Sequence, residues 1–370
     1  MVWSLFVHDT GVFVPKESQT RKYCANVKGG FSAKTFGNYK LPASIVLAVV
    51  DASNSALARN TWSSYRTAES HIKKCEEDTG IKIRFPMTTQ MTIAYVGWLI
   101  TVRKVKSTTI SQYLAGLRMA HLKHGVLPSN LRPDIVNLIL NGQKNLDSKK
   151  EKAPRMAMTI PIMKLLKLLL TKSKWSQAKK RLVWAVACLA FHGSFRIHEL
   201  LSRSSTEFDP SSTLLGSDIK EISLDVDEKN ENILMVHLKS PKEDKLKAGV
   251  TVELFGNDTF SCPIKAFKKW RQASKMNLTG SMPVFRLPCG KCYTGSQFNQ
   301  DIKSMLGKYI NYDEKRYLAH SFRAGLASMM AAAGYADTEI MRQGRWNSRE
   351  TDNIKMVPGH CTTCCQDLAD

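Results

Sequence analysis

The sequence predicts a mainly α-helical protein with one small antiparallel β-sheet, divided into an all-helical first domain and a mixed α+β second domain. Three observations carry this expectation. Apolar residues recur at helical spacing through four short segments between residues 55 and 146. A basic stretch with no period, residues 147–158, interrupts them. Beyond it, apolar helical segments give way between Ile219 and Leu254 to alternating or continuous apolar runs, and then return.

Taken in order, residues 1–54 show no sustained period and are punctuated by Pro15, Gly29-Gly30 and Pro42, so a loose lead-in is expected. The first helix places Trp62, Tyr65, Ala68 or Glu69, and Ile72 on one face. Thr88 opens a second with Ile93, Val96, Trp98 and Leu99, and Ser107 opens a third with Ile110, Leu114, Leu117 and Leu122 inward and Gly125 as its stop. Pro133-Asp134 starts the fourth, with Ile135, Leu138 and Ile139 inward. In the second domain, helices are expected from Ile162 to Leu170 and from Arg181 to Phe191, the latter apolar enough to be buried. Strands follow at Ile219–Val226, Asn232–Leu238 and Gly249–Leu254. Helices resume at Cys262–Ala273, Thr294–Tyr309 and Ser321–Ala333. Residues 357–370 form an atypical Cys-rich tail.

With 370 residues, 43% of them hydrophobic, the chain can bury sizeable cores, and wholesale disorder is excluded. No apolar run approaches the ~18 residues of a membrane helix. The opening Met1–Val7 lacks a basic flank and is too short for a secretory core. Nine dispersed cysteines fit reduced thiols, and an intracellular, nuclear location is expected. The 54 Lys and Arg against 32 Asp and Glu leave a net charge of +22, which points to a polyanionic partner, nucleic acid first. The excess is concentrated: residues 147–181 hold eleven Lys and Arg against Asp147 and Glu151, a local charge of +9. Lys149, Lys150, Lys152 and Arg155 in the linker, and Arg103, Lys104 and Lys106 in the first domain, are the candidate DNA-backbone contacts.

Three separated pieces carry chemistry. Phe191-His-Gly-Ser-Phe-Arg-Ile-His-Glu-Leu-Leu201 sets Arg196 after a buried helix and Glu199 three residues on. His320-Ser-Phe-Arg323 puts a histidine and an arginine on one helical face. Gly344-Arg-Trp346 follows after about two turns of helix and a loop. Paired guanidiniums match the non-bridging oxygens of a phosphodiester, and a histidine and an indole N–H add donors for the charge of a displacement at phosphorus.

This ordered set closely resembles the catalytic domain of the tyrosine recombinases, the phage-integrase-like enzymes that cut and rejoin DNA through a phosphotyrosine. Arg196 and Glu199 match the family's Arg-x-x-Glu-Leu turn, His320 and Arg323 its His-x-x-Arg box, and Gly344 and Trp346 its following Gly and His/Trp. The wording is most similar to recombinases of eukaryotic mobile elements of the DIRS or Crypton kind. The resemblance spans residues 55–355 and implies a SAM-like core-binding domain at 55–146, the linker at 147–158 and a catalytic domain at 159–356. It implies that Arg196, His320, Arg323 and Trp346 clamp the scissile phosphate and that a lysine in the turn between two strands protonates the leaving 5′ oxygen. Lys242 is assigned that role, with Lys239 as fallback and Lys245 and Lys247 in the same turn. Glu199 is expected to orient Arg196 rather than touch DNA. No cofactor is implied, and dimers or tetramers on paired sites are the family habit.

One element departs from the pattern. The nucleophilic tyrosine is expected eight or nine residues after Trp346, where Ile354 and Lys355 stand, and no tyrosine follows Tyr335. Tyr335 is expected to pack in its turn, and Tyr312 and Tyr317 precede the His-x-x-Arg box. Strand cleavage by this chain is therefore expected to fail, leaving a non-catalytic DNA-binding or regulatory protein as the alternative reading. Cys289-Gly-Lys-Cys292 and Cys361-Thr-Thr-Cys364, with His360 and Cys365, have zinc-ligand spacing. The first pair also fits a Gly turn before a helix, and no metal is expected.

Overall fold

A computed structural model describes residues 42–149, 156–226, 229–239, 241, 248–275, 277, 280–307 and 317–346. The chain divides into two units, Met1–Lys152 and Ala153–Asp370. The first holds five helices among the described residues: α1 (Ala43–Ser55), α2 (Arg59–Thr79), α3 (Thr89–Thr101), α4 (Ser107–Lys123) and α5 (Asp134–Ser148). Thr88 caps α3 by accepting the Met91 N–H at 3.2 Å, satisfying one of the N–H groups a helix start leaves unpaired. Helix α4 ends as the sequence predicts. Gly125 takes φ +69°, and Val126 N–H returns to His121 O at 3.1 Å.

Helices α2 and α4 form the spine of the first core. At Gly116 the backbones approach so closely that a Cβ there would lie 2.9 Å from the Ala68 methyl and 3.0 Å from Tyr65 Cα, so only glycine fits the crossing. Trp62, Ala68, Val96, Trp98, Leu99, Ile110, Leu114 and Leu117 are buried as expected. Three inward assignments fall on exposed positions. Leu122 is exposed and His121 is buried, its Nε2 accepting the Met87 N–H at 3.0 Å and its Nδ1 donating to Leu117 O at 2.7 Å. On α5, Val136 and Leu140 face inward whereas Ile135 and Leu138 are 44% and 67% exposed. The apolar residues Ile135, Val136, Leu138, Ile139 and Leu140 form a stripe wider than the buried face, so periodicity alone could not fix which part of it turns in.

The second unit is built around α7 (Gln177–His192), preceded by α6 (Ile160–Lys172). Every residue from Leu182 to Phe191 except Trp184 is buried. A four-residue helix α8 (Ile197–Leu200) follows, then strands β1 (Ile219–Val226), β2 (Lys229–Leu238) and β3 (Val250–Phe255). They form an antiparallel sheet in the order β1-β2-β3, with Ile219 opposite Val236 and Leu234 opposite Leu254. Leu234, Val236, Leu238, Val252 and Leu254 turn one face of it into the core. Helices α9 (Pro263–Ser274), α10 (Gly295–Leu306), α11 (Ala319–Ala332) and α12 (Asp337–Gly344) complete the unit, with α9 and α11 laid along α7. No helix of the described residues is long and apolar enough to cross a membrane.

The structure differs from the sequence reading at the domain edges. Residues 43–55 form α1 rather than a loose lead-in, since Val46, Val50 and Asn54 pack inward and Trp62 Nε1 donates to Asn54 O at 3.0 Å. The linker is shorter at both ends than 147–158. Asp147 belongs to α5, and its carboxylate accepts the Ser107 N–H at 2.7 Å at the start of α4; that bond holds the carboxyl below its usual range. Ala157 and Met158 already lie in the second core, where Met158 N–H donates to Ser321 O at 2.8 Å.

Candidate functional site

The site is built on the turn where α7 ends. Gly193 closes the helix, Ser194 takes φ +48°, Phe195 is fully buried, and Arg196 becomes the residue that opens α8. A non-glycine residue in the left-handed region costs energy that surrounding contacts must offset. Here they come from two other segments. From α11, Arg323 is 1% exposed and its Nη1 donates to Ser194 O at 2.9 Å. From the end of α12, Arg345 Nη1 donates to Gly193 O at 3.1 Å and Nη2 to Ser194 O at 3.2 Å.

Glu199 ties the arrangement together. Its Oε2 accepts the Arg196 N–H at 2.9 Å and Arg345 Nη2 at 3.1 Å, while Oε1 accepts Arg196 Nη1 at 3.3 Å. The carboxylate is 5% exposed and is shared by two guanidiniums, so it fixes Arg196 at both backbone and side chain. Arg196 itself stays half-buried.

Trp346 is buried against Ala327, Ile340 and Met330, and its ring lies 4.8 Å from the Arg323 guanidinium carbon. The indole thus supports Arg323 through its π face. Gly344 permits this, because a Cβ there would meet the Trp346 ring at 2.2 Å. His320 lies in the first turn of α11 with an exposed side chain. Of the five residues assigned to the phosphate, then, His320 is exposed and the Arg196 side chain keeps 10% of its surface exposed. Arg323 and Trp346 are buried, and Lys242 is outside the described residues, as are the expected nucleophile positions Ile354 and Lys355.

The fallback lysine has other work. Lys239 Nζ pairs with Asp218 at 2.7 Å and donates to Pro210 O at 2.8 Å, holding the loop before β1. Among the tyrosines, Tyr317 is buried with its hydroxyl 3.3 Å from Met156 Sδ, whereas Tyr335, expected to pack, is 52% exposed; Tyr312 is outside the described residues. Of the backbone candidates, Arg103, Lys104, Lys106 and Lys149 are exposed, and Lys150, Lys152 and Arg155 are outside the described residues. Cys289 is exposed and Cys292 buried, and no metal-holding cluster occurs among the described residues; Cys361, Cys364, Cys365 and His360 lie outside them.

Sequence reasoning missed Arg345 and His192. Arg345 stands between two residues singled out for their own sake, and it sits at φ +52°, which no periodicity signals. His192 lies one residue before the turn, its Nε2 3.1 Å from Ser261 Oγ, and burial pushes it down to about 4. It is therefore neutral near pH 7.

No protein-family model and no curated protein sequence matches the chain. Solved structures do. The Tn1549 transposon integrase in complex with transposon right-end DNA is 12% identical with a TM-score of 0.52, covering 81% of this chain and 90% of that one. The same integrase with a circular-intermediate DNA gives 13% identity and a TM-score of 0.50 over 83% and 92%. The XerH site-specific recombinase bound to a palindromic difH substrate is 10% identical at a TM-score of 0.49, covering 91% and 89%. The two integrase complexes carry the likeness, and at such identities it is one of fold. The mainly helical second unit with its three-stranded antiparallel sheet has the fold of a tyrosine-recombinase catalytic domain.

Proposed function

We propose that this chain binds duplex DNA as an integrase-like protein of the tyrosine-recombinase kind, derived from a mobile element of the DIRS or Crypton type. The observation that carries the reading is the convergence on one turn of Arg196, Arg323 and Arg345 from three separated segments, with His320 on the helix that supplies Arg323. Arg196, already aimed by Glu199, and exposed His320 meet a DNA phosphate first. Arg323, over Trp346, braces the carbonyl of the turn beneath them. Lys242 stands where the resemblance places the general acid for the leaving 5′ oxygen, although this chain has Ile354 and Lys355 where the tyrosine is expected. The first unit acts as the core-binding domain, with Arg103, Lys104, Lys106 and Lys149 on the phosphate backbone. The protein acts in the nucleus as a dimer or tetramer on paired sites.

A second reading is a DNA-binding or regulatory protein that performs no cleavage, favoured by the absence of any tyrosine in residues 336–370. Two assays separate these readings from each other and from failure. Titration of duplex DNA across a salt series should give log affinity falling linearly with log salt; a flat line removes both readings. Incubation with a nicked duplex that traps covalent intermediates should then yield no protein–DNA adduct. An adduct would show that a nucleophile other than a tyrosine at 354 or 355 serves the site.

A further inference from the structure

The charge concentrated in residues 147–181 is not spent on the linker alone. Lys164, Lys167, Lys172, Lys174, Lys179, Lys180 and Arg181 fall on or beside α6 and α7. Three helices of the second unit line an open hollow of about 150 Å³ there. Lys167 and Thr171 face it from α6, Lys180, Arg181 and Trp184 from α7, and Lys269 from α9. The spacings are those of single helical faces, i to i+4 on α6 and i to i+4 on α7, so the cations are placed by secondary structure. No Asp or Glu lines the cavity.

Elsewhere in this unit several basic side chains find carboxylates. Lys179 pairs with Asp301, Lys239 with Asp218, Lys265 with Asp258 and Arg271 with Glu221. Around the cavity they do not. Lys180 Nζ is held by Thr171 O at 2.9 Å, and Lys167 Nζ by Phe260 O at 3.2 Å while it lies 5.7 Å from the Trp184 ring centre. Among the described residues, neither Arg181 nor Lys269 has a hydrogen bond or ion pair. Like charges gathered round one concavity repel one another and focus a positive potential into it. Two ammonium groups pinned by carbonyls and two unpaired cations around a hollow are the donor set of a phosphate site. Arg181 stands twelve residues before Gly193 on one continuous helix, about 18 Å along its axis, so this cavity is separate from the turn that carries Arg196.

We propose that the α6–α7–α9 cavity binds a phosphate group, carried either by a nucleic acid strand or by a soluble polyphosphate. The test uses the full chain and inorganic tripolyphosphate as probe, measured by titration calorimetry. The double variant Lys180→Ala/Arg181→Ala is compared with Lys172→Ala/Lys174→Ala, which removes the same charge from exposed neighbours that do not line the cavity. Lys269→Ala, at an exposed position, guards against a folding defect in the first. The cavity variants should weaken tripolyphosphate by at least about tenfold, and the control by no more than about twofold. A duplex-DNA salt series then distinguishes the source. A slope lowered by about 1 to 2 in the double variant assigns the cavity to a nucleic acid phosphate, and an unchanged slope assigns it to a soluble polyphosphate. Equal weakening by the cavity and control variants, or wild-type binding by the cavity variants, would overturn the proposal. Failure of the active-site reading would leave this result untouched, since none of these residues contacts the Gly193–Glu199 turn.

Discussion

The second unit holds two clusters of basic side chains built on opposite principles. At the Gly193–Glu199 turn the guanidiniums are buried or nearly so and each is anchored: Arg196, 10% exposed, on Glu199, Arg345 on Glu199 and two carbonyls, Arg323 on Ser194 O and the Trp346 face. In the α6–α7–α9 cavity the cations are exposed or half-buried and no carboxylate balances them. The difference follows from solvent. A charge removed from water requires a partner, so the turn is rigidly preorganised; a charge left in water needs none and stays available to a diffusing anion. Stability should therefore respond strongly to changes in the first cluster and weakly to changes in the second.

The largest expected effect is Glu199→Ala. It leaves Arg196 and Arg345 without their shared carboxylate, and urea unfolding should show a loss of about 3–5 kcal/mol. A loss below about 1 kcal/mol would mean that the shared carboxylate is not what holds the two guanidiniums in place. Next comes His192, whose folded-state value near 4 lies below its ordinary 6.5. Between those values the unfolded chain takes up a proton that the folded chain refuses, so stability is full above pH 6.5 and falls as pH drops toward 4, by about 3 kcal/mol in all. His192→Gln should remove that component from the pH profile, and an unchanged profile would assign the acid sensitivity elsewhere.

Smaller effects sharpen the contrast. Ser194 sits at φ +48° with a buried hydroxyl that has no hydrogen-bond partner among the described residues. Glycine relieves both, so Ser194→Gly should stabilise the protein by up to about 1 kcal/mol, read as a higher melting temperature. Destabilisation would show that the serine hydroxyl holds the turn. Smallest of all is Arg181→Gln, expected to shift unfolding by no more than about 0.5 kcal/mol while weakening polyanion binding. A large stability loss there would show that the cavity is structural.

Legibility in the sequence followed the same division between periodic and local determinants. The buried helix α7, the three strands and the helix pair α2–α4 were legible because burial imposes a period of 3.6 or 2 on apolar residues. Arg196, Glu199, His320, Arg323 and Trp346 were legible only as an ordered set. What escaped was fixed by single contacts. Asp147 looks like linker until its bond to the Ser107 N–H is seen, and Arg345 has no pattern to announce a side chain that folds back onto Gly193 and Ser194. Helix α5 shows the remaining failure, since an apolar stripe wider than the buried face leaves the inward part to be chosen by neighbours rather than by its own sequence.

The most direct test of the account is a duplex-DNA salt titration of wild type beside Arg196→Ala, with circular dichroism confirming that both are folded. If the Gly193–Glu199 turn presents Arg196 to a DNA phosphate, the variant should bind more weakly at every salt concentration, with the slope of log affinity against log salt reduced by about 0.9, the share of one phosphate contact. Identical affinities and slopes would show that the turn is a structural knot and that DNA, if bound at all, lies elsewhere on the protein.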